Sequence, residues 1–145
     1  MDIVDKPTRR RMMSGIRGKN TKPELFIRSL LHKDGFRFRL HLKHLAGRPD
    51  IVCKKHNLVI FVHGCFWHMH PGCSDSKLPK TNKSFWKKKL RANAARDIRH
   101  IQSLNKMGWR VLVVWECTVR KKSYNAAELT RSVYRYVARG GWQHG

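Results

Sequence analysis

Asp50 closes the run Gly47-Arg48-Pro49-Asp50 and opens an apolar stretch, Ile51-Val52-Cys53. A second stretch, Leu58-Val59-Ile60-Phe61-Val62, leads straight into His63-Gly64-Cys65-Phe66-Trp67-His68-Met69-His70-Pro71-Gly72-Cys73. A carboxylate at the mouth of a short strand can bind a hard cation such as Mg²⁺, which keeps several of its waters and needs few protein ligands. Such a cation supports in-line attack of water on phosphorus. Imidazoles titrate near neutrality, so they can take a proton from that water or contact a phosphate. By itself Asp50 reads as an ordinary aspartate in a Pro-Asp turn. Convergence of His63 and His68 upon it would make it a hydrolytic centre.

The cysteines suggest a second, different site. Cys65, His70 and Cys73 follow the spacing C-x4-H-x2-C, and Cys117 ends a later apolar run. Thiolates and one imidazole in a tetrahedral set of four are what structural zinc prefers. Pro71-Gly72 supplies the tight turn between two ligands. Spacing leaves open whether His68 or His70 is the ligand, and Cys53, inside a strand, reads as a small core residue. Phe66 and Trp67 are large apolar residues on the same loop. They suit either packing beneath the knuckle or wedging into a DNA base stack. Met13, in the basic N-terminal segment, suits packing on the second helix or a wedge from the other groove. Glu24 reads as a capping-box residue, and Asp97 as half of an intrahelical pair with Arg96.

These residues sit in a strongly basic chain. Lys plus Arg number 32 against 9 Asp plus Glu, a formal charge of +23 over 145 residues. That excess is far beyond what solubility requires, and nucleic acid is the polyanion that offsets it. Hydrophobic residues make up 41%, enough for one core, so a single domain over residues 1–145 is expected, with residues 1–20 as a basic DNA-contacting segment. No apolar run is long enough for a membrane span, and no hydrophobic leader opens the chain. A cytoplasmic location follows, where four cysteines serve as ligands or free thiols rather than disulfides.

The elements that must position the site are legible in outline. Thr8 to Ile16 suits a short basic helix. Thr21-Lys22-Pro23-Glu24 reads as a helix start, with Leu25, Ile27, Leu30 and Leu31 as its apolar stripe and Asp34-Gly35 as its end. Phe36 to Leu42 alternates as a half-buried strand. Ile51–Cys53 and Leu58–Val62 form an antiparallel pair turned at Lys55-His56-Asn57, apolar on both faces and therefore central. Ser84 is placed to cap a long helix reaching Lys106, with Phe85, Trp86, Leu90, Ile98, Ile101 and Leu104 on its packed side and Gly108 as its stop. Trp109 to Glu116 is the next strand, reached by a crossover. A last helix spans about Ala126 to Arg139, before Gly140-Gly141. The order predicts an α/β fold, a mixed sheet flanked by helices.

Taken together, Gly47-Arg48-Pro49-Asp50, Val62 through His68, Arg96-Asp97 and Gly108-Trp109-Arg110-Val111 through Val114-Trp115-Glu116-Cys117 resemble the very short patch repair endonucleases, over nearly the whole chain from Thr8 to about Val137. The resemblance implies a restriction-endonuclease-like fold and a Mg²⁺-dependent enzyme. It would nick one strand of duplex DNA 5′ to the thymine of T:G mispairs left by 5-methylcytosine deamination. It assigns Mg²⁺ to Asp50 and to the main-chain carbonyl of Val62, the base to His68, and a second active-site histidine to His63. Glu24 and Asp97 match acids that hold the metal's water shell or orient the histidines. The wider superfamily carries an acid and a lysine where this chain has Val62 and Gly64, a departure the repair enzymes share. Cys65, His70, Cys73 and Cys117 match the structural Zn²⁺ ligands, which selects His70 over His68. Phe66 and Trp67 match intercalating aromatics, and Met13 a wedge from the minor-groove side. The expected partner is double-stranded DNA, bound by a monomer. Two rival readings are a sequence-specific restriction-type nuclease cutting both strands and a non-catalytic, zinc-stabilised DNA-binding module.

Overall fold

The computed structural model describes residues 21–121 and 123–138, with the side chains of residues 126 and 134–138 excluded. The helix expected over Thr8 to Ile16, the 1–20 segment with Met13, and the Arg139-Gly140-Gly141 helix end lie outside the described residues. Helix α1 spans Lys22–Lys33. It begins where Thr21 Oγ1 accepts the Glu24 N–H at 3.3 Å and Pro23 occupies the first turn, whose N–H groups have no partner in the helix. Ile27, Leu30 and Leu31 face inward; Leu25, expected beside them, is 48% exposed.

Strands β1 (Arg39–Leu40), β2 (Ile51–Cys53), β3 (Leu58–His63) and β4 (Arg110–Trp115) form one sheet in the order β1-β2-β3-β4. The first three run antiparallel, and β4 joins β3 in parallel across helix α2 (Lys83–Lys106). Short helix α3 (Glu116–Val119) and helix α4 (Ala126–Ala138) follow. The β2–β3 turn falls where expected, as a 3-10 turn over Lys54–His56 closed by Asn57 at φ 51°.

Three expectations need correction. The strand foreseen over Phe36 to Leu42 shrinks to Arg39–Leu40, because β2 offers a partner only three residues long. Phe36 and Phe38 still bury against the core without joining the ladder. Helix α2 is capped by Asn82, at φ 56° with no side-chain cap bond, so Ser84 lies inside the first turn. Its packed side is also rotated from the expected one. Trp86, Leu90 and Leu104 are buried, whereas Phe85 and Ile98 are 51% and 57% exposed. The inward stripe runs 86-90-97-101-104, so Asp97 stands where Ile98 was expected.

Strand alternation divides the core between two faces. Ile51, Cys53, Leu58, Ile60, Leu112 and Val114 pack with α1 and with Leu129 and Val133 of α4. Val52, Val59, Phe61 and Val111 pack with Leu45 and with Leu104 of α2. Both faces are covered, which is why these strands read as unbroken apolar runs rather than alternating ones. Parity then delivers the site. His63, two residues beyond Phe61, points to the α2 side, and Val62 to the α1 side. Among the described residues no helix is long and apolar enough to cross a membrane.

Candidate active site

Asp50, Val62, His63 and His68 line one cleft of about 680 Å³, bordered by Glu24 and His41 on one side and by Asp97 and His100 on the other. The turn before β2 brings Asp50 to the edge of β3, where its Oδ2 accepts the Val62 N–H at 2.7 Å. Burial raises the Asp50 pKa. The Val62 N–H and the nearby His41, His68 and Arg28 oppose that rise. The approach of this turn to α2 requires Gly47, which sits at φ +75° with the His100 ring 3.0 Å from where a Cβ would stand.

The imidazoles of His63 and His68 stack, with centroids 3.8 Å apart and planes 5° from parallel. His68 Nδ1 meets Asp97 Oδ2 at 2.6 Å, which fixes the ring and leaves Nε2 for other partners. Burial lowers the His63 pKa to about 3, and the neighbouring His68 pushes in the same direction while Asp97 opposes it. His63 is therefore uncharged at neutral pH and adds no positive charge beside a cation. Asp97 pairs with His68 rather than with Arg96, whose guanidinium reaches Asn93. Glu24 is 1% exposed, and its carboxylate pairs with Arg28 and with His41. Its main-chain N–H takes the capping role, so its side chain is left to the cleft.

The second cluster forms around the loop after β3. Ligand atoms of Cys65, His70, Cys73 and Cys117 all lie within 4.8 Å of one another. Cys117 Sγ is 3.4 Å from His70 Nδ1, and the Cys117 N–H donates to Cys65 Sγ at 3.4 Å. Burial pushes the Cys65 thiol up to about 12, so a bound cation is what would hold it as thiolate. Three sulfurs and an imidazole at this spacing fit a closed tetrahedral zinc site. His68 takes no part in it. The loop is braced by Ser76, whose hydroxyl donates to the carbonyls of His70 and Cys73 at 2.9 Å and 2.7 Å. Arg120 spans from Glu116 to Asp75. Cys53 lies fully buried in β2, away from the cluster.

Phe66 and Trp67 are partly buried between the two clusters. Both meet the buried ring of Trp86 edge to face, with centroids 5.6 and 5.8 Å away, and each other at 5.1 Å. Trp86 thus supports the pair from beneath, a role its helical periodicity did not suggest. His41 was missed altogether. It stands on the polar parity of Arg37 and Arg39 and carries no motif, so the sequence held no signal for it.

The model of the family described as DNA mismatch endonuclease Vsr matches residues 1–74. The chain is 55% identical over 116 residues to the type II nicking enzyme V.XorIIP of Xanthomonas oryzae, covering 80% of this chain and 85% of that protein. It is 45% identical over 119 residues to the DNA mismatch endonuclease Vsr of Escherichia coli, covering 82% and 76%. The type II nicking enzyme V.NmeAIP of Neisseria meningitidis is 42% identical over 132 residues, covering 91% and 94%.

Proposed function

The chain belongs to the Vsr family of DNA mismatch endonucleases, and on that premise we propose that it nicks one strand of duplex DNA 5′ to the thymine of a T:G mispair, using Mg²⁺. The α/β/α arrangement is read as restriction-endonuclease-like, and residues 1–145 as a single domain acting as a monomer, with residues 1–20 reaching the DNA. The observation that carries the reading is the meeting of Asp50, His63 and His68 in one cleft, with His68 held by Asp97 at 2.6 Å.

Asp50 and the Val62 carbonyl would hold Mg²⁺, with Glu24 facing its water shell. The donor set fits, being all oxygen and served by an uncharged His63. When bound, the ion supplies charge stabilisation on phosphorus. His68, oriented through Nδ1 by Asp97, presents Nε2 to take the proton of the attacking water. His63 stacks on His68 and restricts its ring. Cys65, His70, Cys73 and Cys117 would hold Zn²⁺ and so fix the loop that carries both Phe66-Trp67 and His68. The aromatic pair, backed by Trp86, would enter the stack at the mispair. A T:G wobble unstacks more easily than a matched pair, so the wedge costs less there. Met13 is assigned the opposing wedge.

The double-strand-cutting reading is not favoured, since several relatives are named nicking enzymes. A strand-resolved assay on T:G, C:G and T:A duplexes, with Mg²⁺ or with chelator, tests the reading. Nicking of the thymine strand in T:G alone, abolished by chelator, is expected; equal rates on matched duplexes would refute it. A DNA-binding module without chemistry would lose nothing in Asp50→Ala. Binding should also weaken steeply with salt, because the charge of +23 meets phosphate. A flat salt titration by fluorescence anisotropy would contradict that.

A further inference from the structure

His41 follows β1 in the left-handed region, at φ 46°, a conformation uncommon for a residue with a side chain. Such outliers persist where the surroundings determine them, and they cluster at functional sites. The twist aims the ring into the cleft, where the side chain is 15% exposed. Its Nε2 lies 3.0 Å from Glu24 Oε2 and 3.7 Å from Asp50 Oδ1. Its main-chain N–H donates to the Asp50 carbonyl at 3.4 Å. One residue therefore touches both acids and the backbone of one of them. The other Asp50 oxygen is already taken by the Val62 N–H, so Oδ1 is the oxygen that faces Glu24 and His41.

We propose that His41 is a positioning residue that fixes the Glu24 carboxylate against Asp50, so that the two acids face one divalent cation. The inference rests on the placement of that cation at Asp50. Two desolvated carboxylates side by side repel each other. Glu24 comes from α1 and Asp50 from the turn before β2; Arg28 pairs with Glu24, and its charge also acts on Asp50. Nε2 of the imidazole lies within ion-pair distance of both carboxylates, where α1 meets the sheet and where the cation would bind. Ligand atoms of Glu24, His41 and Asp50 all fall within 4.8 Å of one another.

Calorimetric titration with Ca²⁺, a hard cation that need not support turnover, reads this directly. His41→Ala should weaken Ca²⁺ binding about 10- to 100-fold, the range for residues that orient metal ligands. His41→Gln, which keeps an N–H donor at similar reach, should recover most of that loss. Because the effect passes through Glu24, His41→Ala introduced into Glu24→Gln should add less than about twofold. In the nicking assay, the Mg²⁺ concentration for half-maximal rate should rise more than the maximal rate falls. Unchanged Ca²⁺ affinity in a folded His41→Ala protein would overturn the proposal, as would an equal loss in the Glu24→Gln background. Ca²⁺ binding that survives Asp50→Ala would instead overturn the cation's placement, and with it the premise.

Discussion

The two candidate metal-binding groups, Cys65-His70-Cys73-Cys117 and Glu24-His41-Asp50, differ in almost every physical respect. The cysteine group offers three sulfurs and an imidazole from the loop and from α3, four protein donors close enough to surround one ion. The acidic group offers carboxylates from α1 and from the turn before β2, with His41 beside them, and it opens into a cleft of about 680 Å³. A closed set of donors holds shape, whereas an open set leaves room for a substrate. The difference teaches that one loop can place Cys65, His70 and Cys73 in a closed cluster while His68, between them, lines the open cleft.

Breaking the open group should destroy activity and spare the fold. Asp50→Ala should lower nicking by about 10³-fold, since the charge stabilisation at stake is several kcal/mol and each ~1.4 kcal/mol is a factor of ten. Its melting temperature should hold or rise at neutral pH, because burial disfavours the Asp50 carboxylate that the substitution removes. A collapsed melt would erase the distinction between the two groups. Breaking the closed group should do the reverse. Cys117→Ser should cost ~3 kcal/mol, or about 10 °C in melting temperature, and should release zinc on assay. Activity per folded molecule should fall far less than in Asp50→Ala; an unchanged melt with full zinc content would contradict this.

Asp97→Asn sharpens the comparison within the open cleft. It removes the charge that holds His68 and should slow nicking about 10²-fold, the scale of a misplaced general base, with zinc content unchanged. A rate within twofold of the parent would detach Asp97 from the chemistry. The smallest effect concerns the cysteine outside both groups. Burial holds the Cys53 thiol up to about 11, against its ordinary 9.0. Between those values the unfolded chain has released its proton while the folded chain retains it. Stability therefore falls as pH rises through that window. In zinc-loaded protein, Cys53→Ala should flatten this alkaline limb while costing about 1 kcal/mol near neutrality. Melting curves from pH 8 to 11 would show it, and parallel limbs for the two proteins would count against it.

Much of this was legible in the chain, for identifiable reasons. The β2–β3 hairpin announced itself because both strands are buried on both faces and the turn residues lie between them. The cysteine cluster was visible because three of its ligands are close in sequence, and Cys117 stood at the end of a recognisable strand. What stayed hidden depended on geometry that composition does not carry. Helical spacing alone offered Arg96 as the partner of Asp97, and only the family resemblance drew it toward the histidines. The observed stripe through Trp86, Leu90 and Leu104 turns Asp97 inward. The positive φ of His41 has no trace in residue type. Glu24 satisfied a capping pattern with its main chain, which concealed the use of its carboxylate.

The parallel ladder sets His63 opposite Trp115. Cys65 and Cys117 each lie two positions past that rung, so strand register acts as a ruler that brings their sulfurs together. Shortening the turn at Met107-Gly108 by a single residue would slide β4 along β3 and pull the thiols out of reach, with every ligand still in place. Length, and not only identity, is therefore under constraint in that turn, and an insertion there should be as harmful as the loss of a cysteine.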